Sequence, residues 1–280
     1  MKKVKVGEAL FRVINLGDLS FKLKDVNNVP ESEWKPNYSD VFEIANPYPS
    51  QSFHIALSGA SVLVDAGDYQ LFGMQDPTHL PNNYTLPPDL IAQLASERIL
   101  SEDITHVVIT HAHYDHYSGV TKKQNEKISV TFPNAKYFLG KSDWEWEEVQ
   151  RNLKNPHSPE SESLGYLQES GKLNLVYGEV MLAPGLKIIP SPGESFGHQI
   201  VRLTSQGETL YCVGDLFHHA VEVEHPSWMA SWADAVSNAK SREFLIKTAL
   251  EEDAIIAAAH MPLGKLVKTE RGAKFVPLFP

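Results

Sequence analysis

The chain has 280 residues and one cysteine, and its 35 acidic against 25 basic side chains give a net charge of −10. A balance this acidic repels phosphate, which excludes nucleic acid and anionic membrane surfaces as expected partners and leaves a small-molecule substrate. With a single cysteine there is no internal disulfide, no run approaches the ~20 apolar residues that span a bilayer, and Met1 to Glu8 starts basic but lacks a signal-peptide core, so a cytoplasmic setting is expected.

Along the chain, Val13 to Leu23 reads as a hairpin turning at Gly17-Asp18, and the polar, proline-containing stretch 25–50 as a long loop. Phe53–Leu57 and Ser61–Asp65 flank Gly59 as a second hairpin, which ends in Asp65-Ala66-Gly67. Pro88 opens a helix through about Glu97 with Leu90, Ile91 and Leu94 on one face. The β-branched, apolar run Ile104 to Thr110 reads as a buried strand, and a helix is expected from Ser142, as its cap, toward Leu153. Segment 142–180, with Trp144, Trp146, Tyr166 and Tyr177, is the least readable. Strand-like runs follow at Leu186–Ile189, Ile200–Leu203, Leu210–Val213 (holding Cys212 as a buried thiol) and Ala254–Ala259, with a helix over Ser231 to Leu250. Strands alternating with helices in two half-chains give a mixed α/β (α+β) class. No linker divides the chain, so a single domain over 1–280 is expected.

Thr110-His111-Ala112-His113-Tyr114-Asp115-His116 places three imidazoles and a carboxylate in six consecutive positions after that buried strand. Such density is what a borderline-soft divalent metal wants. His111 and His113, two apart in extended backbone, share a face. Asp115 and His116 follow after the chain has turned and should face a second centre. One ion cannot easily accept all four, which suggests two ions roughly 3.5–4 Å apart. Further ligands are then needed, and His198, Asp215 and His260 each sit where an apolar strand emerges into a Gly- or Pro-containing loop, the kind of position where functional side chains concentrate.

This order of motifs, with Val62-Leu63-Val64-Asp65-Ala66-Gly67 upstream, resembles the metallo-β-lactamase superfamily of metallo-hydrolases over roughly Phe53 to Gly264. The resemblance implies a four-layer αββα sandwich. It implies His111, His113 and His198 on one metal, Asp115, His116 and His260 on the other, Asp215 bridging both, and Asp65 orienting a ligand histidine. It also implies that the 142–180 insertion lies near the substrate pocket, the alternative being a surface insertion whose tryptophans pack on the core. One departure is visible: many relatives read Gly-His-Thr-x-Gly-His where this chain has Gly193-Glu194-Ser195-Phe196-Gly197-His198.

Two divalent ions would give a bridging hydroxide near neutral pH, with Asp115, Asp215 and His218 as candidates for proton handling. Zinc is expected, and manganese, iron or cobalt suit the same donors. The family's true β-lactamases lack the bridging carboxylate, so a β-lactam substrate is not expected. The sequence resembles instead the branch of lactonases and methyl-parathion-hydrolase-like enzymes. Several lactonases place tyrosine three residues after the bridging aspartate, where this chain has His218, either a substrate contact or a structural histidine. Hydrolysis of a small neutral ester or lactone is expected, then phosphotriester hydrolysis, with thioester hydrolysis behind. A di-iron redox protein is the alternative of another class, and a homodimer is expected by resemblance only.

Overall fold

In a computed structural model, which describes residues 1–67, 85–125, 127–270 and 272–279, the strand-like runs pair into two seven-stranded sheets and one small hairpin. The first sheet opens with β1 (Lys2–Val6), β2 (Ala9–Phe21), β3 (Asn46–Leu57), β4 (Ala60–Val64) and β5 (His106–Val108). β6 (Thr121–Gln124) and β7 (Lys127–Val130) form the separate hairpin, and β8 (Lys136–Gly140) and β9 (Leu173–Val176) return to the first sheet beside β5. The second sheet runs in chain order through β10 (Val180–Ala183), β11 (Leu186–Pro190), β12 (Gln199–Ser205), β13 (Glu208–Gly214), β14 (Ile255–Ala258), β15 (Gly264–Thr269) and β16 (Gly272–Pro277). Pairing is antiparallel except along β4–β5–β8–β9 and at β13–β14.

Period-two alternation decides what each face meets. Val62 and Val64 of β4 join Phe53 and Ile55 against Leu210 and Cys212 of the second sheet, so the inner faces of the sheets pack on each other. Leu63, between them, points outward to Leu90 and Leu94 of the helix Leu90–Ser96. On the far side Tyr211 and Val213 meet Leu245 and Ala249 of the helix Ala235–Glu251. The result is a four-layer sandwich of helix, sheet, sheet and helix. Each fully buried aliphatic or aromatic side chain contributes about 1.5–3 kcal/mol, and Cys212 lies among them with no exposure. No helix among the described residues is long and apolar enough to cross a membrane.

Several local expectations are corrected. Gly17-Asp18 marks a bulge inside the single strand β2, with the register slipping between Asn15 and Gly17 and Gly17 at φ 145°. The stretch 25–50 holds the helix Glu31–Phe42 and the start of β3. Pro36 sits within that helix and Tyr38 leaves helical geometry, which disguised it as loop. Pro47 and Pro49 lie on the half of β3 that β4 does not pair, where a missing N–H is tolerated. The expected helix from Ser142 is two short pieces, Lys141–Trp144 and Glu147–Asn152, and Ser142 caps neither. Ile91 faces solvent while Leu90 and Leu94 are buried. The last long helix begins at Ala235 because the Asp234 carboxylate accepts from the Ser237 N–H. Trp144 and Trp146 pack on the outer core of the first sheet, whereas Tyr177 is 89% exposed.

His54 on β3 supplies an acid-sensitive element. The Arg12 guanidinium lies 3.2 Å from its Nδ1 and Ser61 Oγ 2.8 Å from its Nε2. Guanidinium only donates, so Nδ1 must stay bare and the proton sits on Nε2. Burial, helped by the Arg12 charge, pushes the ring down to about 4, below the 6.5 of a free histidine. The unfolded chain therefore takes up the proton first as pH falls. The stability tied to this ring is complete above pH 6.5 and is lost as pH approaches 4. His54→Gln should flatten that part of the Tm–pH curve, by on the order of 2–3 kcal/mol across the window. Parallel curves for the two proteins would exclude this role.

Candidate metal centre

Every histidine and aspartate of the motif set emerges at one end of the sandwich. Asp65 follows β4, His111 to His116 follow β5, Asp215 follows β13, His260 follows β14, and His198 immediately precedes β12. Loops at the carboxyl ends of parallel strands are the usual crevice of α/β folds. Here the two parallel junctions, β4–β5 and β13–β14, put two such crevices side by side.

Asp65 anchors the first crevice. It adopts φ 59°, a left-handed conformation that Asp tolerates better than most residues. Its Oδ1 accepts from the Thr110 N–H at 2.7 Å, and its Oδ2 lies 2.9 Å from both Thr110 Oγ1 and His116 Nδ1. The proton of His116 is thereby held on Nδ1, and Nε2 turns into the site without a hydrogen-bond partner. His260 is set the same way, with Nδ1 2.9 Å from the Pro49 carbonyl, to which it donates. Its Nε2 lies 3.3 Å from Asp115 and 3.2 Å from Asp215 Oδ2. Asp115, His116, Asp215 and His260 offer donor atoms that all lie within 4.8 Å of one another.

A second set adjoins it through Asp215: His111, His113, Glu194 and Asp215, within the same 4.8 Å limit. His111 Nε2 is 2.9 Å from His113 Nδ1 and 3.7 Å from Asp215 Oδ2. His198 flanks this set rather than belonging to it. Its ring centroid is 5.3 Å from that of His111, its Nδ1 is 2.9 Å from the Ser191 carbonyl, and its Nε2 faces the Asp215 N–H at 3.3 Å. Glu194, to which the sequence reading gave no role, joins this set, and His198 stands beside it. Glu194 Oε1 is 3.5 Å from His113 Nδ1 and accepts from Trp232 Nε1 at 2.6 Å. His218 lies between the sets, with Nε2 3.5 Å from Asp215 Oδ2 and 3.8 Å from Glu194 Oε1.

Three further residues hold these loops in place. The buried Asp143 accepts from the Ala112 N–H and Ser195 Oγ, each at 2.8 Å, and from the Gly197 N–H at 2.5 Å, tying the first motif to the Glu194 loop. That contact needs glycine twice: a Cβ on Gly140 would come within 2.0 Å of the Gly197 carbonyl oxygen, and one on Gly197 within 2.5 Å of the Asp143 nitrogen. Gln51 donates to the Met261 carbonyl at 2.7 Å, fixing the turn after His260, and Gln199 donates to the Ile109 carbonyl at 2.8 Å. A sequence signal existed for Glu194, its departure from the family's histidine. Asp143, Gln51 and Gln199 carried none.

The electrostatics divide the histidines. Burial pushes His198 down to about 4 and also lowers His111 and His113, leaving neutral rings. Burial likewise opposes charge on His116, His218 and His260. There, however, nearby carboxylates win: His116 rises well above the ordinary value, His218 reaches about 9 and His260 about 10. Asp115 and Asp215 are held far below the usual carboxylate range by those same rings, against burial. Among the described residues, protons on imidazoles balance the buried charge of Asp115 and Asp215, burial raises Glu194 to about 7, and His116 Nε2, Asp215 Oδ1 and Glu194 Oε2 have no hydrogen-bond partners. A donor set of this kind fits divalent cations, which would displace those protons.

Comparisons with known proteins agree with this geometry. The family model described as the metallo-beta-lactamase superfamily matches residues 45–260. Probable metallo-hydrolases of Mycobacterium tuberculosis and Mycobacterium bovis are each 24% identical over 177 residues, covering 56% of this chain and 53% of theirs. The chain thus spans about half the length of the curated relatives it matches. Among solved structures, hydrolase AbOPH of the beta lactamase superfamily superposes with a TM-score of 0.79 at 18% identity, covering 99% of this chain and 97% of that one. AidC, a dizinc quorum-quenching lactonase, gives 0.76 at 24% identity, with 99% and 96% covered. An N-acyl homoserine lactone hydrolase gives 0.61 at 17%, with 92% and 94% covered. At these identities the likeness is one of fold.

Proposed function

The chain belongs to the metallo-beta-lactamase superfamily, and from that premise we propose that it hydrolyses a small neutral ester or lactone at a pair of divalent metal ions, zinc first among them. The residues that would hold the pair are the two four-residue sets sharing Asp215, with His198 beside the first. Bound there, the ions supply Lewis acidity and a water of lowered pKa, so no nucleophilic serine or cysteine is required.

The observation that carries the substrate class is the lining of the two cavities beside the centre. One, of about 310 Å³, is walled by Trp146, Phe196 and Trp232 next to His113 and Glu194. The other, of about 280 Å³, is lined by Tyr48, Met261 and Phe275 next to His218 and His260. No lysine or arginine lines either cavity among the described residues. An anionic substrate therefore finds no counter-charge from the protein, whereas an acyl chain or aryl group finds apolar walls. His218, with its imidazole 3.5 Å from Asp215 Oδ2, would offer an N–H to a leaving oxygen beside the centre. Trp146, from the 142–180 segment, lines one of these cavities beside His113 and would limit water's access to a substrate bound there.

Phosphotriester hydrolysis is the second reading, and it draws on His218, where several lactonases of the family carry tyrosine. Both readings are tested by metal analysis of protein purified without added metal, combined with turnover of an aryl ester, an acyl-homoserine lactone, a thioester and a phosphotriester. About two ions per chain with the ester or lactone turned over fastest is the expected result. A phosphotriester turned over alone would select the second reading. Two irons with no hydrolysis would move the protein to the redox class, and no metal at all would sink both.

A further inference from the structure

Glu194 is a buried carboxylate whose position the first centre explains better than its surroundings do. The side chain is 2% exposed. Oε1 accepts from Trp232 Nε1, and Oε2 has no hydrogen-bond partner. No lysine or arginine pairs with it among the described ion pairs; its contacts there are His113 at 3.5 Å and His218 at 3.8 Å. Leaving a buried carboxylate oxygen unsatisfied is costly, so something should meet it.

The backbone leaves Glu194 little freedom. Gly193 is at φ 135°, and a Cβ there would fall 2.2 Å from the backbone of Asn238 at the start of the last long helix. The Gly193 carbonyl accepts from the Asp234 N–H at 2.8 Å, and its own N–H donates to the Ser195 carbonyl at 2.9 Å. On the other side, Asp143 holds Ser195 and Gly197. The carboxylate is therefore delivered to a fixed point beside His113. Two neighbouring donors on one ion, each about 2.1 Å from it, stand roughly 3.0–3.6 Å apart whether the ion takes four, five or six ligands. The 3.5 Å between Glu194 Oε1 and His113 Nδ1 falls in that range, and Oε2 of the same carboxylate has no other partner.

We propose that Glu194 is a metal ligand of the first centre, joining His111, His113 and Asp215 there, with His198 completing the shell. This rests on the dinuclear reading above and changes its character. A second carboxylate makes the first centre richer in oxygen and less positive by one charge. Five protein donors exceed the four of a tetrahedral zinc site, so the centre suits an ion that takes five or six ligands, such as Mn²⁺.

The test is a crystal structure of the full chain loaded with Mn²⁺, located by anomalous scattering, alongside titrations of chelator-stripped protein with Mn²⁺ and with Zn²⁺. A Glu194 oxygen at about 2.0–2.2 Å from one ion is expected. In the titrations Glu194→Gln should bind that ion at least tenfold more weakly, the Mn²⁺ loss exceeding the Zn²⁺ loss, with the second ion unaffected. Two bound ions with both Glu194 oxygens more than about 3 Å away would overturn the inference and leave the dinuclear site standing. No bound ions would overturn the site itself. Neither readout depends on turnover, and the wild-type crystal decides the matter even if the variant misfolds.

Discussion

Asp215→Asn should weaken binding of both metal ions together, on the order of 10³-fold or more, and lower kcat/KM by a similar factor at limiting metal. Asp215 is the one residue common to both donor sets. Its Oδ2 is 3.2 Å from His116 Nε2, 3.2 Å from His260 Nε2 and 3.7 Å from His111 Nε2. Losing a partner that merely orients a ligand costs about 10–100-fold in metal affinity. Losing a charged ligand shared by two ions should cost more, and 10³-fold corresponds to about 4 kcal/mol. Asparagine keeps the shape, and the Asp215 N–H that meets His198 is backbone, so the variant removes charge with little else. The measurement is metal per chain after dialysis, a metal titration, and kcat/KM against added metal. His113→Ala is the comparator, since it touches one set only. If Asp215→Asn kept one ion at wild-type affinity, the bridging role would be wrong.

What could be read in advance follows from how local each signal is. The cluster from His111 to His116 declares itself because six consecutive residues carry the chemistry. The β3–β4 hairpin is legible because Gly59 (φ 79°) closes a two-residue turn between alternating runs. The 25–50 stretch was misread because its apolar residues are sparse and their partners remote. Trp34 and Phe42 stack on each other and are buried with Val221 and Trp228, nearly two hundred positions away. Gly17 carried a true signal for interrupted pairing, but a bulge and a turn write the same residue. Asp143 illustrates the harder case. It lies 31 positions from Ala112 and 52 from Ser195, and only the fold makes it the tie between two ligand loops. Glu194 was visible as a departure from a family motif, yet its meaning required knowing that it ends up beside His113.

Remote closure of this kind also predicts the largest stability effect. Arg242→Met is expected to destabilise the metal-free protein by about 3–5 kcal/mol, lowering its Tm by roughly 10 °C. Arg242 is fully buried on the last long helix. Its guanidinium donates to the carbonyls of Leu216 at 2.8 Å and Pro226 at 3.2 Å, to that of Trp228, and to Glu222 Oε2 at 2.8 Å. It thereby gathers the segment 216–228, which carries His218 and begins beside Asp215. Glu222 Oε2 in turn accepts from the His218 N–H at 2.9 Å, so the pair is joined to the metal centre. Methionine matches the stem but leaves Glu222 buried without its guanidinium partner and three carbonyls without their donor. The charge and the carbonyls can be separated. In Arg242→Met with Glu222→Gln the carboxylate left without its guanidinium is gone, and an amide oxygen remains for the His218 N–H, so a large part of the lost Tm should return. The comparison must be made without metal, because a bound ion adds stability by mass action and would mask the loss. A single variant within about 2 °C of wild type, under 1 kcal/mol, would mean that the pair contributes no net stability. A double variant no better than the single would assign the loss to the carbonyls, making Arg242 first a clamp on the backbone and only second a counter-ion.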